Sequence, residues 1–304
     1  MDGKIGSGRT WVKTLRKPQF WFGAAWLVPT VLWYGAFSLG PVVRAFPLAL
    51  LEYNLINPSK SIFVGLDNFR IVIRDPFFVI AVVNTFTWAV LGFVMLLPLA
   101  LFLSIVLSRL KRGRNVYQAL AYLPVVVSLV AVSLLFRILL DPNTGIINGL
   151  FSQFGLPTSK WLTDSSSALP TAVAISVWKG IGFHIVVLTA GLLSIPEEYY
   201  EAAMVDGANE WQRFWKITLP LLSNTLLLIM VLLAIGTLQE FTLPYVLTGG
   251  GPGTATLMYN MQIYNEAFQN LRFGTASALA LLQFAVILTI SYLQIRLLRP
   301  RWSY

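Results

Sequence analysis

Residues 197–220 read EEYYEAAMVDGANEWQRFWKITLP, a polar island between two long apolar runs at 168–193 and 221–247. Runs of that length are sufficient to cross the roughly 30 Å hydrocarbon core of a bilayer, so the island belongs at a membrane surface. The whole chain agrees with this. Its 304 residues are 56% hydrophobic and only 12% charged, about half the charge of a soluble domain, which leaves too little polar surface for a water-exposed globule. The expected fold class is an all-α integral membrane protein. The excess of 22 Lys+Arg over 13 Asp+Glu gives a net charge of +9. In a chain this apolar it reads as basic loops beside membrane spans facing membrane lipid, and not as a nucleic-acid surface. There is no cysteine and a single histidine, His184. Disulfides, thiolate catalysis and Cys- or His-rich metal sites are thereby excluded.

Six apolar stretches follow along the chain, at about 20–40, 77–107, 119–140, 168–193, 221–247 and 273–298. Lys4, Arg9, Lys13, Arg16 and Lys17 precede the first. That order resembles a signal peptide, but the apolar stretch is too long for one, so it reads as an uncleaved span. Pro29 and Pro98 fall inside spans, where neighbouring groups can satisfy the freed backbone. The segment 41–75 is mixed and polar, with turn signals at Asn54, Asn57-Pro58 and Gly65. The densest basic clusters lie at the N-terminus, at 108–115, in the island (Arg213, Lys216) and in the tail (Arg296, Arg299, Arg301). Placing all four on the cytoplasmic side satisfies every loop with six spans. Both termini and the island are then cytoplasmic, and the protein is multi-pass. The chain divides into a cytoplasmic N-terminal segment, 1–19, and a six-span domain, 20–304.

Within the island, Ser194 with Glu197 three residues on, and Pro196 between them, predicts a capping box at a helix start. Glu197, Glu198 and Glu201 crowd the first turns, where the helix dipole favours acids. Ala202 and Ala203 permit close approach of another protein. Asp206-Gly207 predicts a helix end with glycine in a left-handed cap, and Asn209 with Gln212 predicts a second start.

Glu201-Ala202-Ala203, three residues, Gly207, nine residues, then Ile217-Thr218-Leu219-Pro220 resembles the EAA loop of bacterial ABC importer permeases at every fixed position. Phe63-Val64-Gly65-Leu66-Asp67-Asn68-Phe69, Trp178, Gly182-Phe183, Gly191-Leu192 and Thr248-Gly249-Gly250-Gly251-Pro252 are similar to segments of carbohydrate permeases of the MalF type, in their compact six-span version. The resemblance implies a type I ABC importer permease fold in the bacterial cytoplasmic (inner) membrane, with residues 195–220 as a cytoplasmic coupling loop. It implies that Glu201, Ala202, Ala203, Asp206, Gly207, Ile217, Leu219 and Pro220 couple to an ATPase. It also implies partners: a second EAA-loop permease in a heterodimer, two ATP-binding subunits and an extracellular or periplasmic solute-binding protein. It further implies that no cofactor is bound by this chain, ATP and Mg being held by the partner ATPase.

The residues weigh against rival classes, of which a membrane-embedded lipid-linked sugar transferase is the alternative from a different class. No G-x-x-x-x-G-K-[ST] motif occurs, and the Gly249–Gly253 cluster lacks the lysine a phosphate loop needs. A membrane-embedded lipid-linked sugar transferase would need clustered acids or a metal site. The island acids have no histidine or cysteine among them and are accounted for by capping and docking. The chain is thus expected to be a transport subunit with no catalytic residues and no metal. No internal repeat supports a secondary carrier. Polar residues inside spans mark a solute path. Trp178 and Lys179 in the fourth stretch, and Gln239 and Glu240 in the fifth, meet that description, and Lys179 and Glu240 can alternatively pair with each other. The resemblance implies that a sugar path runs along Trp178, Ile181, Gly182, Ile185, Gln239 and Glu240. A sugar or oligosaccharide is the expected substrate, with glycerol-3-phosphate or another polar solute as the alternative. Lone His184 reads as a packed, hydrogen-bonded residue.

Overall fold

The computed structural model describes residues 18–298. All but two residues of the expected N-terminal segment, and the tail arginines Arg299 and Arg301, lie outside the described residues. Among those described, five helices are long and apolar enough to cross a membrane: Trp21–Ala49, Pro76–Ser108, Ala168–Leu193, Ser223–Thr248 and Phe273–Leu297. The sixth crossing is a broken pair, Arg114–Val126 and Leu129–Leu139, bent by 88°. The all-α, six-span architecture is therefore the one expected. In chain order these are called spans one to six. Successive spans alternate in direction, so the turn at 109–113 and the island share one face, here the island face. Segments 50–75, 140–167 and 249–272 share the opposite face.

Three details differ from the expectation. Span three is not one straight helix. Span five is interrupted between Leu238 and Thr242. Span one runs on to Ala49, through Pro41 and Pro47. The helix passes Pro41 by widening the preceding turn: Gly35–Leu39 is a π-turn in which the Gly40 amide donates to Gly35 O. The same device recurs before Pro220, where Phe214–Thr218 is a π-turn. Proline has no amide to give to the usual carbonyl four residues back, and the residue before it bonds one further back instead. Beyond Ala49 the turn signals at Asn54 and Asn57-Pro58 fall inside a small hairpin. Leu51–Glu52 pairs antiparallel with Ile62–Phe63, and Asp67–Arg74 is a helix.

Span four is the centre of the molecule. Val173, Ile175, Ile185, Leu188 and Leu192 are buried from it, against Trp88, Leu96 and Ala100 of span two and Ile229 and Leu233 of span five. A smaller cluster joins Ala49, Val72, Tyr259, Ala278 and Leu279 on the opposite face. Lipid tails are as apolar as leucine, so helices in a bilayer associate through close packing and interhelical hydrogen bonds and not through water exclusion. Both are present. Ser104 Oγ donates to Ile185 O (3.2 Å), Asn84 Nδ2 to Thr254 O (2.8 Å) and Leu257 O (3.1 Å), and Tyr259 OH to Leu279 O (2.9 Å).

Spans three and four approach closely at Gly182, where a Cβ would stand 2.1 Å from Ala121 O and 2.8 Å from Tyr122 Cα. Backbone cannot yield as a side-chain tip can, so Gly182→Ala forces spans three and four apart. It is expected to cost about 1–3 kcal/mol, read as a lower melting temperature of the detergent-purified protein. Gly180→Ala, where a Cβ meets nothing within 4 Å, serves as the control and should leave the melting temperature unchanged.

Candidate functional site: the island helix and two broken spans

Within the island, Glu197–Val205 is a helix with no buried residue. Val205 is 89% exposed and Met204 52%, so the helix packs against nothing in this chain along most of its length. Its start differs from the predicted capping box: Pro196 occupies the N-cap position with no side-chain cap, and Ser194 Oγ donates to Gly191 O at the end of span four. Its end is as predicted. Gly207 has φ +77°, Gly207 N donates to Met204 O and Ala208 N to Ala203 O, which together satisfy the last carbonyls in a Schellman closure. Asn209 and Gln212 then form the expected capping box for Glu210–Arg213.

The motif residues divide into two sets. Glu201, Ala202, Asp206 and Gly207 are exposed and Ala203 is half-buried. Ile217, Leu219 and Pro220 are half-buried where the chain enters span five. Tyr200 OH and Thr218 Oγ1, 3.1 Å apart, tie the exposed helix to that entry. Arg109 of the turn after span two reaches Glu210 at 3.4 Å. Both side chains are well exposed, and such a pair contributes little.

The break in span five falls on Gln239-Glu240. A helix interrupted at membrane depth leaves backbone groups that must find partners, and four of them are met by side chains. Glu240 Oε1 accepts from Phe241 N (3.2 Å) and Leu243 N (3.3 Å), capping the half-helix Thr242–Thr248. Gln283 Nε2 of span six donates to Leu238 O at 2.8 Å, and Asn260 Nδ2 donates to Gln239 O. Asn260 and Gln283 were not picked out from the sequence. An amide inside or beside an apolar run was the available signal.

The break in span three is held from span four. Lys179 Nζ donates to Val125 O at 3.2 Å, next to the last residue of Arg114–Val126, where the negative end of the half-helix dipole favours a cation. Lys179 and Glu240 make no salt bridge within 4 Å among the described residues; they remain within electrostatic reach of each other, and each is engaged at the end of a different half-helix. Trp178 is 46% exposed with its ring edge-on to Phe136 at 5.3 Å, and Gln239 is exposed. Ile181 is half-buried against the core. Gly182 and Ile185 correct the expectation of a path lining. Gly182 is in contact with span three, and Ile185 is 1% exposed under Ser104, so neither faces open space. His184 is packed, with Nδ1 3.0 Å from Gly180 O. Among the described residues no three or more His, Cys, Asp or Glu gather as for a metal ion.

On the opposite face, a cleft of about 380 Å³ is lined in part by Arg137, Asp141, Thr163, Thr248 and Pro252. The amides of Thr144 and Asn143, with the Thr144 hydroxyl, donate to Asp141 and hold its carboxyl below the ordinary value. The Ser166 hydroxyl and amide do the same for Asp164.

Residues 96–304 match the family described as "binding-protein-dependent transport system inner membrane component". The chain is 32% identical over 276 residues to the trehalose/maltose transport system permease protein MalF of Thermococcus litoralis, covering 90% of this chain and 92% of that one. It is 29% identical over 279 residues to the sn-glycerol-3-phosphate transport system permease protein UgpA of Brucella abortus, covering 91% and 94%. A chain of a bacterial alginate ABC transporter, crystallised with its alginate pentasaccharide-bound periplasmic protein, superposes with a TM-score of 0.80 at 27% identity, covering 92% of this chain and 95% of that one.

Proposed function

Because this chain belongs to the family of binding-protein-dependent transport system inner membrane components, we propose that it is the membrane-spanning permease subunit of an ATP-driven importer for a sugar or oligosaccharide. The observation that carries the coupling part of this reading is the island helix. It is ordered and capped at its C-terminal end, it buries none of its residues in its own chain, and it is tied by Tyr200 to the entry of span five. A helix built in this way offers a rigid surface to another protein and passes displacement to one span. In the proposed assembly the chain pairs with a second EAA-loop permease. Two ATP-binding subunits dock on the island helices from the cytoplasm, and a solute-binding protein delivers substrate on the opposite face. ATP and Mg are held by the ATP-binding subunits. Both termini are cytoplasmic, in a bacterial inner membrane.

The substrate reading draws support from the kinds of group exposed on spans four and five. Trp178, edge-on to Phe136, and Gln239 are open, and Glu240, next to Gln239 in sequence, is half-buried. Aromatic faces with amide and carboxylate oxygens suit a sugar's apolar ring faces and hydroxyls. Glycerol-3-phosphate is the second reading, favoured by the 29% identical permease for that solute. It requires a cation on the path, for which Lys179 is the candidate.

The deciding experiment is uptake into proteoliposomes by the assembled complex with its binding protein. Labelled maltose, maltotriose, an arabino-oligosaccharide and sn-glycerol-3-phosphate are compared, and ATP hydrolysis is followed in the same vesicles. Sugar uptake that needs both ATP and the binding protein is expected. Uptake of glycerol-3-phosphate alone selects the second reading, and ATP-independent uptake removes the importer reading altogether.

A further inference from the structure

Beyond the break in span five runs a row of aromatic rings that nothing above uses. Phe241 stacks on Tyr245, with centroids 4.9 Å apart and planes at 22°. Tyr264 meets both, at 5.3 Å from Phe241 and 5.5 Å from Tyr245. Phe268 continues the row 5.2 Å from Tyr264 and is 65% exposed, whereas the other three are half-buried. The row is built by two elements, the half-helix Thr242–Thr248 and the helix Tyr259–Tyr264 with its following π-turn.

The polar groups around the row indicate what it faces. Asn260 lies one turn before Tyr264 on the same helix and bonds Gln239 O. Gln239 is itself exposed, and Glu240 adjoins Phe241. Much of the exposed surface of the spans is aliphatic, such as Val90, Val94 and Leu99 of span two and Leu228 and Leu232 of span five, and the exposed Trp33–Phe37 ring pair of span one has no amide or carboxylate side chain in its stretch, 28–43. Amides and a carboxylate are costly against lipid, so a face that mixes them with four rings is better matched to water and a solute. A solute that suits contiguous aromatic faces flanked by amides has apolar ring faces and a rim of hydroxyls, and that is a pyranose.

We propose that Phe241, Tyr245, Tyr264 and Phe268 form a carbohydrate track. It holds successive sugar rings by stacking between the opposite face and the break at Gln239-Glu240. The inference rests on the sugar-importer reading and adds to it a binding surface and a preference for chains of more than one ring.

The test uses the complete complex in proteoliposomes with labelled maltose, maltotriose and an arabinotriose. For Tyr264→Ala, sugar imported per ATP hydrolysed is expected to fall about fivefold, as loss of one aromatic contact implies, and further for a trisaccharide than for the disaccharide. Tyr264→Phe, which keeps the ring, should stay within about twofold of the parent. The chain has no cysteine, so Phe268→Cys introduces its sole thiol, and loading with sugar should slow maleimide labelling there. Equal import by Tyr264→Ala and the parent at both chain lengths, with no protection at Phe268→Cys, overturns the track. So does a loss confined to the amount of complex in the membrane, which would make the rings interfacial anchors. If the parent protein imports no sugar of the set, the carbohydrate reading falls first, before any variant is compared.

Discussion

Replacing Gly207 by proline is expected to bring the substrate-stimulated ATPase activity of the assembled complex down to its basal level, with the protein still inserted in the membrane. Gly207 stands at φ +77°, whereas proline is confined near −65°, so the chain cannot turn after Val205 as it does. The substitution also removes the amide that donates to Met204 O at 3.0 Å. The open space around Gly207 makes the comparison with Gly207→Ala informative, because alanine meets no atom there and acts through the backbone alone. A left-handed residue costs about 1–2 kcal/mol when it carries a Cβ, so a partial loss is expected. Glu201→Lys, which reverses a charge on the exposed face without touching the turn, should resemble the proline variant. The readout is ATP hydrolysis with loaded binding protein, against membrane content by quantitative blotting. Full stimulated hydrolysis in Gly207→Pro and Glu201→Lys would remove the coupling role from the island.

The second large effect belongs to Glu240. Its carboxylate accepts from two amides at the start of Thr242–Thr248, and leaving such groups without a partner inside a membrane costs about 1–3 kcal/mol each. Glu240→Ala is expected to lower transport by about tenfold or more while membrane content holds. Glu240→Gln keeps an oxygen for the same two amides and should recover most of the activity. Lys179→Ala should behave differently, since Lys179 holds Val125 O in span three. If Glu240→Ala and Lys179→Ala both simply disappear from the membrane, the two residues are structural and nothing more.

The sequence carried the crossings well, and in places to the residue. Span four ends where its apolar run ends, at 168 and 193. Gly207 and the Asn209–Gln212 box were legible because their partners lie within a few residues. The breaks were not. No glycine or proline falls at 239–241, and that interruption is stabilised by Asn260 and Gln283, whose proximity only the fold creates. Pro124 precedes the bend in span three, but an apolar run of that length counts as a span whether straight or bent. Gly182 and Ile185 were misplaced for a related reason. A helix that is apolar all round has no periodicity to say which side meets its neighbours, and span four is surrounded on most sides by the chain itself. Span one was underestimated because the mixed stretch from Pro41 on reads with the polar segment 41–75, whereas a π-turn carries the helix past Pro41.

The two interrupted spans share a feature that bears on how the protein is made. Val125 O in span three is met by Lys179 of span four, and Leu238 O in span five by Gln283 of span six. In each case the completing side chain lies in the span synthesised next. A nascent chain that has released only span three, or only span five, into the bilayer exposes a backbone carbonyl to hydrocarbon at a cost of several kcal/mol. Insertion is therefore expected to proceed by hairpins, three with four and five with six. The first member of each pair should stay at the translocation channel until its successor emerges from the ribosome.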